Sequence, residues 1–388
     1  MSLPDPLLVF GPRSTDYDFG PVHPLTPRRF WTGISLLETL GAVPGLAPEP
    51  ASDEELALVH DRAYIEHVKR CGSDPVGAWG MGIGPGDTPA FGGMHEASAA
   101  VAGGSLRAME AILGGEIQHA FHPGGGLHHA MRARASGFCV YDDPALAVAR
   151  ARHDGLRVLY VDLDVHHGDG VQAIHWDDPG VMTVSIHESG STLFPGTGFQ
   201  DELGGLGAEG TAVNIPLDPG TGEIGWVEAL EIALPPLAEA FRPAIVVSQH
   251  GADSHAYDPL AHLMVTTTAM GRAARLVDSL AHRHAGGRWL ATGGGGYDVY
   301  RVVPRMWAHV WLAQTHATPL GELSPEWRER WAADAERYGQ SPIPSTLDDP
   351  ENAGLPYRDA QERADRRAAE IARASVERAL EALRRREG

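Results

Sequence analysis

Short β-branched runs that repeatedly give way to Gly-rich or Asp/His-rich residues, and then to helical stretches, constrain this chain more than any other feature. Such alternation indicates parallel strands joined by helices, an α/β architecture. The candidate strands are Arg157 to Val161, Val181 to Ile186, Ala212 to Leu217, Ala244 to Ser248 and Arg288 to Ala291. Most of them run directly into unusual polar or glycine-rich residues. In open parallel sheets ligands sit outside the carboxyl ends of the strands, so this placement predicts one shared site. Helices are predicted over His95 to Leu113 and Glu223 to Phe241, and Pro235-Pro236 is expected to end or kink the second.

A chain of 388 residues can bury a substantial core, and no repeat or linker divides it, so residues 1–388 read as one domain. Residues Asp359 to Arg386 read as one charged helix whose stripe Ala368, Ala372, Val376, Ala379, Leu380 and Leu383 is expected to pack on the main body. Two cysteines, Cys71 and Cys139, fit a reducing cytoplasm better than secretion. The opening residues lack a basic leader, the apolar stretch Leu7 to Phe10 is too short for a signal core, and no run is long enough to span a bilayer. A net charge of -20 argues against nonspecific nucleic-acid binding and favours a cationic ligand.

The densest chemistry is Asp162-Leu-Asp-Val-His-His-Gly-Asp-Gly170, at the end of an apolar strand. Strand alternation can aim Asp162, Asp164 and His166 in one direction, a donor set suited to a divalent metal. The plainer reading is a solvated turn. Gly124-Gly-Gly-Leu-His128-His129 places two imidazoles after a glycine turn, with Asp162 and Asp169 available to orient them for acid/base work. Ser248-Gln-His-Gly-Ala-Asp253 follows another strand and can deliver Asp253 to the same end of the sheet, although alone it would read as a helix cap. Thr292-Gly-Gly-Gly-Gly-Tyr297 lets backbone approach a ligand while presenting a phenol, and no Lys-Ser/Thr follows to make it a phosphate loop. Phe138 and Phe194, each in a glycine turn, can wall an apolar channel suited to an extended aliphatic stem.

Taken in order, Gly124 to Ala130, Ser136 to Cys139, Val158 to Gly170, Val181 to His187, Phe194 to Gly198, Gln249 to Asp253 and Gly293 to Tyr297 resemble the zinc-dependent deacetylase superfamily. That superfamily includes class I histone deacetylases and the bacterial acetoin-utilisation deacetylases. Gly92 to Ala97 and Asp258 to Leu263 look closest to the second group. The resemblance implies an arginase-like three-layer fold with a central, mainly parallel sheet. It implies that Asp164, His166 and Asp253 bind Zn²⁺, or alternatively Fe²⁺. His129 and the metal would activate water, His128 would supply charge or a proton, and Asp162 and Asp169 would orient the two imidazoles. Tyr297 would bind the developing oxyanion. Gly137, Phe138, Phe194 and Leu260 would contact the acyl-lysine, and Asp87 would hold the substrate backbone at the rim. A monovalent cation, K⁺, would lie near Asp162, Asp164, His166, Ser185 and Ile186, and Arg29 matches an arginine of an internal acetate channel.

Two departures narrow what the resemblance implies. Pro259 and Tyr300 stand where eukaryotic corepressor enzymes carry basic residues for inositol phosphate. Leu260 stands where a polyamine deacetylase has its amine-recognising glutamate. The expected substrate is therefore acetyl-lysine in proteins, with small acetylated amines such as acetylpolyamines as the alternative. A dinuclear manganese ureohydrolase or a non-catalytic acetyl-lysine binder ranks lower, since one metal, the paired imidazoles and Tyr297 suit amide hydrolysis.

Overall fold

Val158 to Asp162 is buried along its whole length, and its residues alternate between two cores. Leu159 and Val161 join one apolar cluster, with the helices Glu223–Phe241, Thr267–Ala285 and Val303–Gln314. Val158 and Tyr160 join the other, with Met94–Leu113 and Asp143–His153. Period-two side chains buried on both faces are what a parallel sheet between two helical layers requires.

The computed structural model describes residues 5–318, 320–349 and 359–387. Its strands are β1 (Leu7–Val9), β2 (Pro44–Leu46), β3 (His119–His122), β4 (Val158–Asp162), β5 (Val181–Glu188), β6 (Ala212–Leu217), β7 (Ile245–Gln249) and β8 (Trp289–Thr292). They form one sheet in the order β2-β1-β3-β8-β7-β4-β5-β6, with every pairing parallel. The expected α/β three-layer architecture is present, and the candidate strands are found within a residue or two of their bounds. The first three strands were not anticipated. Two are three-residue strands at one side of the sheet, and β3 reads His-Ala-Phe-His, with no β-branched residue to mark it.

The helix Glu223–Phe241 does not end at Pro235-Pro236 but continues through both prolines. Each proline removes a backbone donor and costs about 3 kcal/mol in a helix interior. Burial of Leu230, Ala233, Leu234, Leu237, Ala238 and Phe241 offsets that cost. The final helix, Asp359–Glu387, lies against this same helix and β6 through Ala368, Ala372, Val376, Ala379 and Leu383, with Leu380 half-buried at the edge. Ser375 Oγ donates to Asn214 O at 2.6 Å and Asp365 Oδ1 accepts Gly222 N–H at 2.6 Å, which fixes its register. Cys71 and Cys139 are both free and buried. Among the described residues, no helix is long and apolar enough to cross a membrane.

Strand register prepares the site. His122 of β3 pairs with Thr292 of β8, Thr292 with Gln249 of β7, Gln249 with Asp162 of β4, and Asp162 with Ser185 of β5. Five adjacent strands thus bring one row of residues to the same level near their carboxyl ends, and the loops just beyond converge.

Candidate active site

Those loops carry the predicted residues to one cleft, lined by His128, His129, Gly137, Phe138, Asp164, His166 and Tyr297, among others. Alternation stops at Asp162, the last residue of β4, so the initial picture of three side chains aimed together from a strand does not hold. Asp162 turns to His128 instead, whereas Asp164 and His166 sit in the following loop. Gly126 (φ +93°) allows the loop after β3 to approach the one after β8; a Cβ there would lie 2.5 Å from Gly293 O.

Asp164, His166 and Asp253 are all buried, and one donor atom from each lies within 4.8 Å of the others. His166 Nδ1 is 3.1 Å from Asp164 Oδ1 and 3.3 Å from Asp253 Oδ2. The second oxygen of Asp164 accepts from Gln249 Nε2 at 2.7 Å and from Gly295 N–H at 2.8 Å. Asp253 Oδ1 accepts Val165 N–H at 3.1 Å, while its Oδ2 is buried without a hydrogen bond. Two buried carboxylates side by side need a cation. Burial and the neighbouring Asp164 carboxylate push Asp253 up to about 6, and against the penalty of burial the two carboxylates raise His166 to about 10. An N,O,O donor set in which one buried carboxylate oxygen makes no hydrogen bond fits a divalent metal with a position left open.

His128 and His129 lie side by side with ring centroids 4.0 Å apart. His128 Nδ1 donates to Asp162 Oδ2 and His129 Nδ1 to Asp169 Oδ1, both at 2.7 Å. Each bond leaves Nε2 for chemistry. Tyr297 is 8% exposed, and its phenol is pushed well up by burial and by the Asp253 carboxylate.

Phe138, held at φ +68°, stands edge-on to Tyr297 with centroids 5.9 Å apart, and Phe194 stands edge-on to His129 at 5.0 Å. Asp87 is exposed, and its Oδ2 accepts Gly137 N–H at 2.8 Å, so it braces the loop bearing Phe138. Phe194 is exposed and Leu260 half-buried, both outside the enclosed part of the cleft. Ser185 faces Asp162 across β4 and β5, with its Oγ 2.8 Å from His187 Nδ1, and Ile186 is buried beside it. Arg29 is buried and donates from Nη1 to Gly294 O at 2.6 Å. It lines a second small cavity with Tyr17 and Gly124 that shares Leu25 and Leu127 with the cleft.

Four supporting residues escaped the sequence reading. Tyr160 donates to Asp162 Oδ2 at 2.7 Å, and its position two before Asp162 on β4 was an available signal. Gln249 clamps Asp164. Asp258 accepts the Tyr297 and Leu260 N–H groups at 2.9 and 3.0 Å. Asp143 accepts the Gly126 and Leu127 N–H groups and so shapes the turn before the imidazoles. No local pattern marks the last three.

Residues 23–314 match the family model described as histone deacetylase domain. The chain belongs to the histone deacetylase family. It is 43% identical over 353 residues to the acetoin utilization protein AcuC of Bacillus subtilis, covering 89% of this chain and 90% of that relative. It is 35% identical to AcuC of Staphylococcus xylosus over 89% of this chain and 91% of the relative. A solved structure of an HDAC homolog complexed with SAHA superposes with a TM-score of 0.82 at 29% identity, covering 94% of this chain and all of that one. An HDAC homolog from Aquifex aeolicus gives 0.80 at 28%, with the same coverage. The fold is therefore the arginase/deacetylase fold that the sequence resemblance implied, and the chain is a deacetylase-family hydrolase close to AcuC.

Proposed function

We propose that this histone deacetylase-family chain removes acetyl groups from the side-chain amine of acetyl-lysine in proteins. Asp164, His166 and Asp253 would hold Zn²⁺, with Fe²⁺ as the alternative. The observation that carries this reading is the convergence of those three buried donors at a cleft that also holds two aspartate-paired imidazoles and Tyr297. A bound divalent ion would polarise the acetamide carbonyl and acidify water.

The remaining steps belong to side chains. His129 Nε2 accepts a proton from the attacking water while Asp169 holds the opposite nitrogen in the right tautomer. Oxygen bonds to the acyl carbon, the C–N bond breaks, and His128 Nε2 returns a proton to the departing amine. Acetate and the free lysine side chain are the products. Tyr297 donates to the carbonyl oxygen as charge gathers there. Phe138 and Phe194 flank the aliphatic stem beside Gly137 and Leu260, Asp87 accepts from the substrate backbone at the rim, and the cavity lined by Arg29 receives acetate.

A K⁺ ion near Asp162, Asp164, His166, Ser185 and Ile186 belongs to the same proposal, supported by the pairing of Asp162 with Ser185. A reducing, cytoplasmic setting is supported by the free thiols of Cys71 and Cys139. Around the cleft, the described residues offer one three-donor group rather than the larger carboxylate set of a dinuclear ureohydrolase.

Acetate release by the metal-loaded protein tests the reading, with an acetyl-lysine peptide and acetylspermidine as substrates. The proposal expects the higher kcat/KM on the peptide. The reverse order assigns the enzyme to small acetylated amines, and no release from either substrate rejects both.

A further inference from the structure

His119 opens β3 at the end of the sheet away from the cleft. Its ring is buried at 4% exposure, and Nδ1 lies 2.9 Å from Gln314 O. A carbonyl only accepts, so Nδ1 carries the hydrogen and Nε2 of the neutral ring is a bare lone pair. That Nε2 is buried without a hydrogen-bond partner and faces Asp278 Oδ1, another acceptor, at 3.6 Å. His282 Nε2 and His316 Nε2 reach the same carboxylate oxygen at 3.4 and 3.3 Å. Donor atoms from all four residues lie within 4.8 Å of one another, and the three imidazole centroids are 5.0, 5.1 and 5.4 Å apart.

Three separate elements build this cluster. β3 supplies His119. The helix Thr267–Ala285 supplies Asp278 and His282, four apart and therefore on one face. His316 follows the helix Val303–Gln314 with φ +53°. Metal bonds of about 2.0 to 2.1 Å at tetrahedral angles put ligand atoms roughly 3.4 Å apart. The three contacts to Asp278 Oδ1, at 3.3 to 3.6 Å, fall around that spacing.

We propose that His119, Asp278, His282 and His316 form a second divalent transition-metal site, filled by Zn²⁺, that clamps β3 to the ends of two helices. An imidazole-rich set selects Zn²⁺, Ni²⁺ or Cu²⁺ over Mg²⁺ and Ca²⁺. Four protein ligands close the coordination sphere, which marks the site as structural rather than catalytic. His282 and His316, 34% and 40% exposed, leave an entry from solvent.

Zinc binding to the full chain, first stripped of metal, tests this independently of the deacetylase reading. Calorimetry and elemental analysis should give two ions in the wild type. One ion should remain in Asp253→Ala and should raise Tm there. The double variant His282→Ala/His316→Ala should lose that second ion while turning over its substrate as the wild type does. The milder His316→Gln, at an exposed position, should weaken the second ion at least tenfold with unchanged circular dichroism. In wild-type crystals, anomalous scattering at the zinc edge should peak among these four side chains. The proposal is overturned if Asp253→Ala binds no zinc, if its remaining ion survives loss of His282 and His316, or if the second anomalous peak lies elsewhere.

Discussion

His128 and His129 are neighbours in sequence and each donates to an aspartate at 2.7 Å, yet their surroundings push their protonation in opposite directions. Burial disfavours charge on both. For His128, Asp162 and Asp164 outweigh that penalty and raise it to about 10, the nearest Asp164 oxygen being 3.8 Å from Nε2. For His129, burial and the charge on His128 prevail over Asp169 and lower it to about 4. Adjacent groups pushed apart in this way are suited to an acid and a base acting in one step.

Asp162→Asn removes the strongest favourable charge on His128 and so lowers its pKa. The alkaline limb of the pH dependence of kcat/KM should move to lower pH by at least one unit in metal-loaded enzyme. An unmoved limb would mean that His128 is not the acid.

Tyr297→Phe deletes one hydrogen-bond donor and little volume. Loss of an oxyanion donor costs roughly 3 kcal/mol, so kcat should fall about 10²- to 10³-fold with metal content unchanged. Near-normal turnover by steady-state kinetics would refute the assignment.

Asp253→Asn removes the charge of a carboxylate whose buried Oδ2 makes no hydrogen bond, and the variant should lose one equivalent of metal and its turnover together. Elemental analysis alongside an acetate-release assay reads both. Retained metal with lost turnover would show that Asp253 acts otherwise.

Gly137→Ala places a methyl group 2.5 Å from His129 Cδ2 and 2.9 Å from Phe194 Cε1, at a backbone φ of +54° that disfavours alanine. Displacement of His129 should lower kcat and crowding of the channel should raise KM. Wild-type values for both would place Gly137 away from the substrate path.

Stability should fall on mild acidification. Burial lowers His60 and His175 to about 4 and His122 and His250 to about 3, all from an ordinary 6.5. Above 6.5 these rings are neutral in both states. Below it the unfolded chain takes protons that the folded chain refuses, so each ring costs about 1.4 kcal/mol per pH unit until its folded pKa is reached. His128, raised to about 10, is charged in the folded chain throughout, so it adds stability as the pH falls towards 6.5 and no slope well below it. Asp143 and Asp253, raised to about 6, take up protons in the folded chain and offset part of the loss. The urea midpoint should drop between pH 6.5 and pH 4.5, and a constant midpoint there would contradict the burial argument.

Much of this was legible from local pattern. β4 through β7 announced themselves by β-branched residues and the runs after them, and β8 by the glycine run that follows it. The acid and base roles proposed for His128 and His129 were not readable from a His-His pair alone and came from the order of the separated motifs. β3 stayed hidden because His119 and His122 at its ends look polar. Pro235-Pro236 did not end the helix because helix propensity is local, whereas the buried face of Glu223–Phe241 is a tertiary fact.

By itself the sequence determined the α/β class and the carboxyl-end placement of the candidate chemistry, because side-chain period and turn chemistry act over a few residues. The proposed donor set Asp164, His166 and Asp253 came only from the order of the separated motifs. Tertiary structure decided which donors meet. Asp253 joins Asp164 and His166 because β7 lies beside β4 with Gln249 opposite Asp162. Asp162 leaves the metal group because His128 is within hydrogen-bond reach. His119 reaches Asp278, His282 and His316 only because β3 begins where two helices end. Such meetings depend on strand order and helix packing, which no short stretch of sequence encodes.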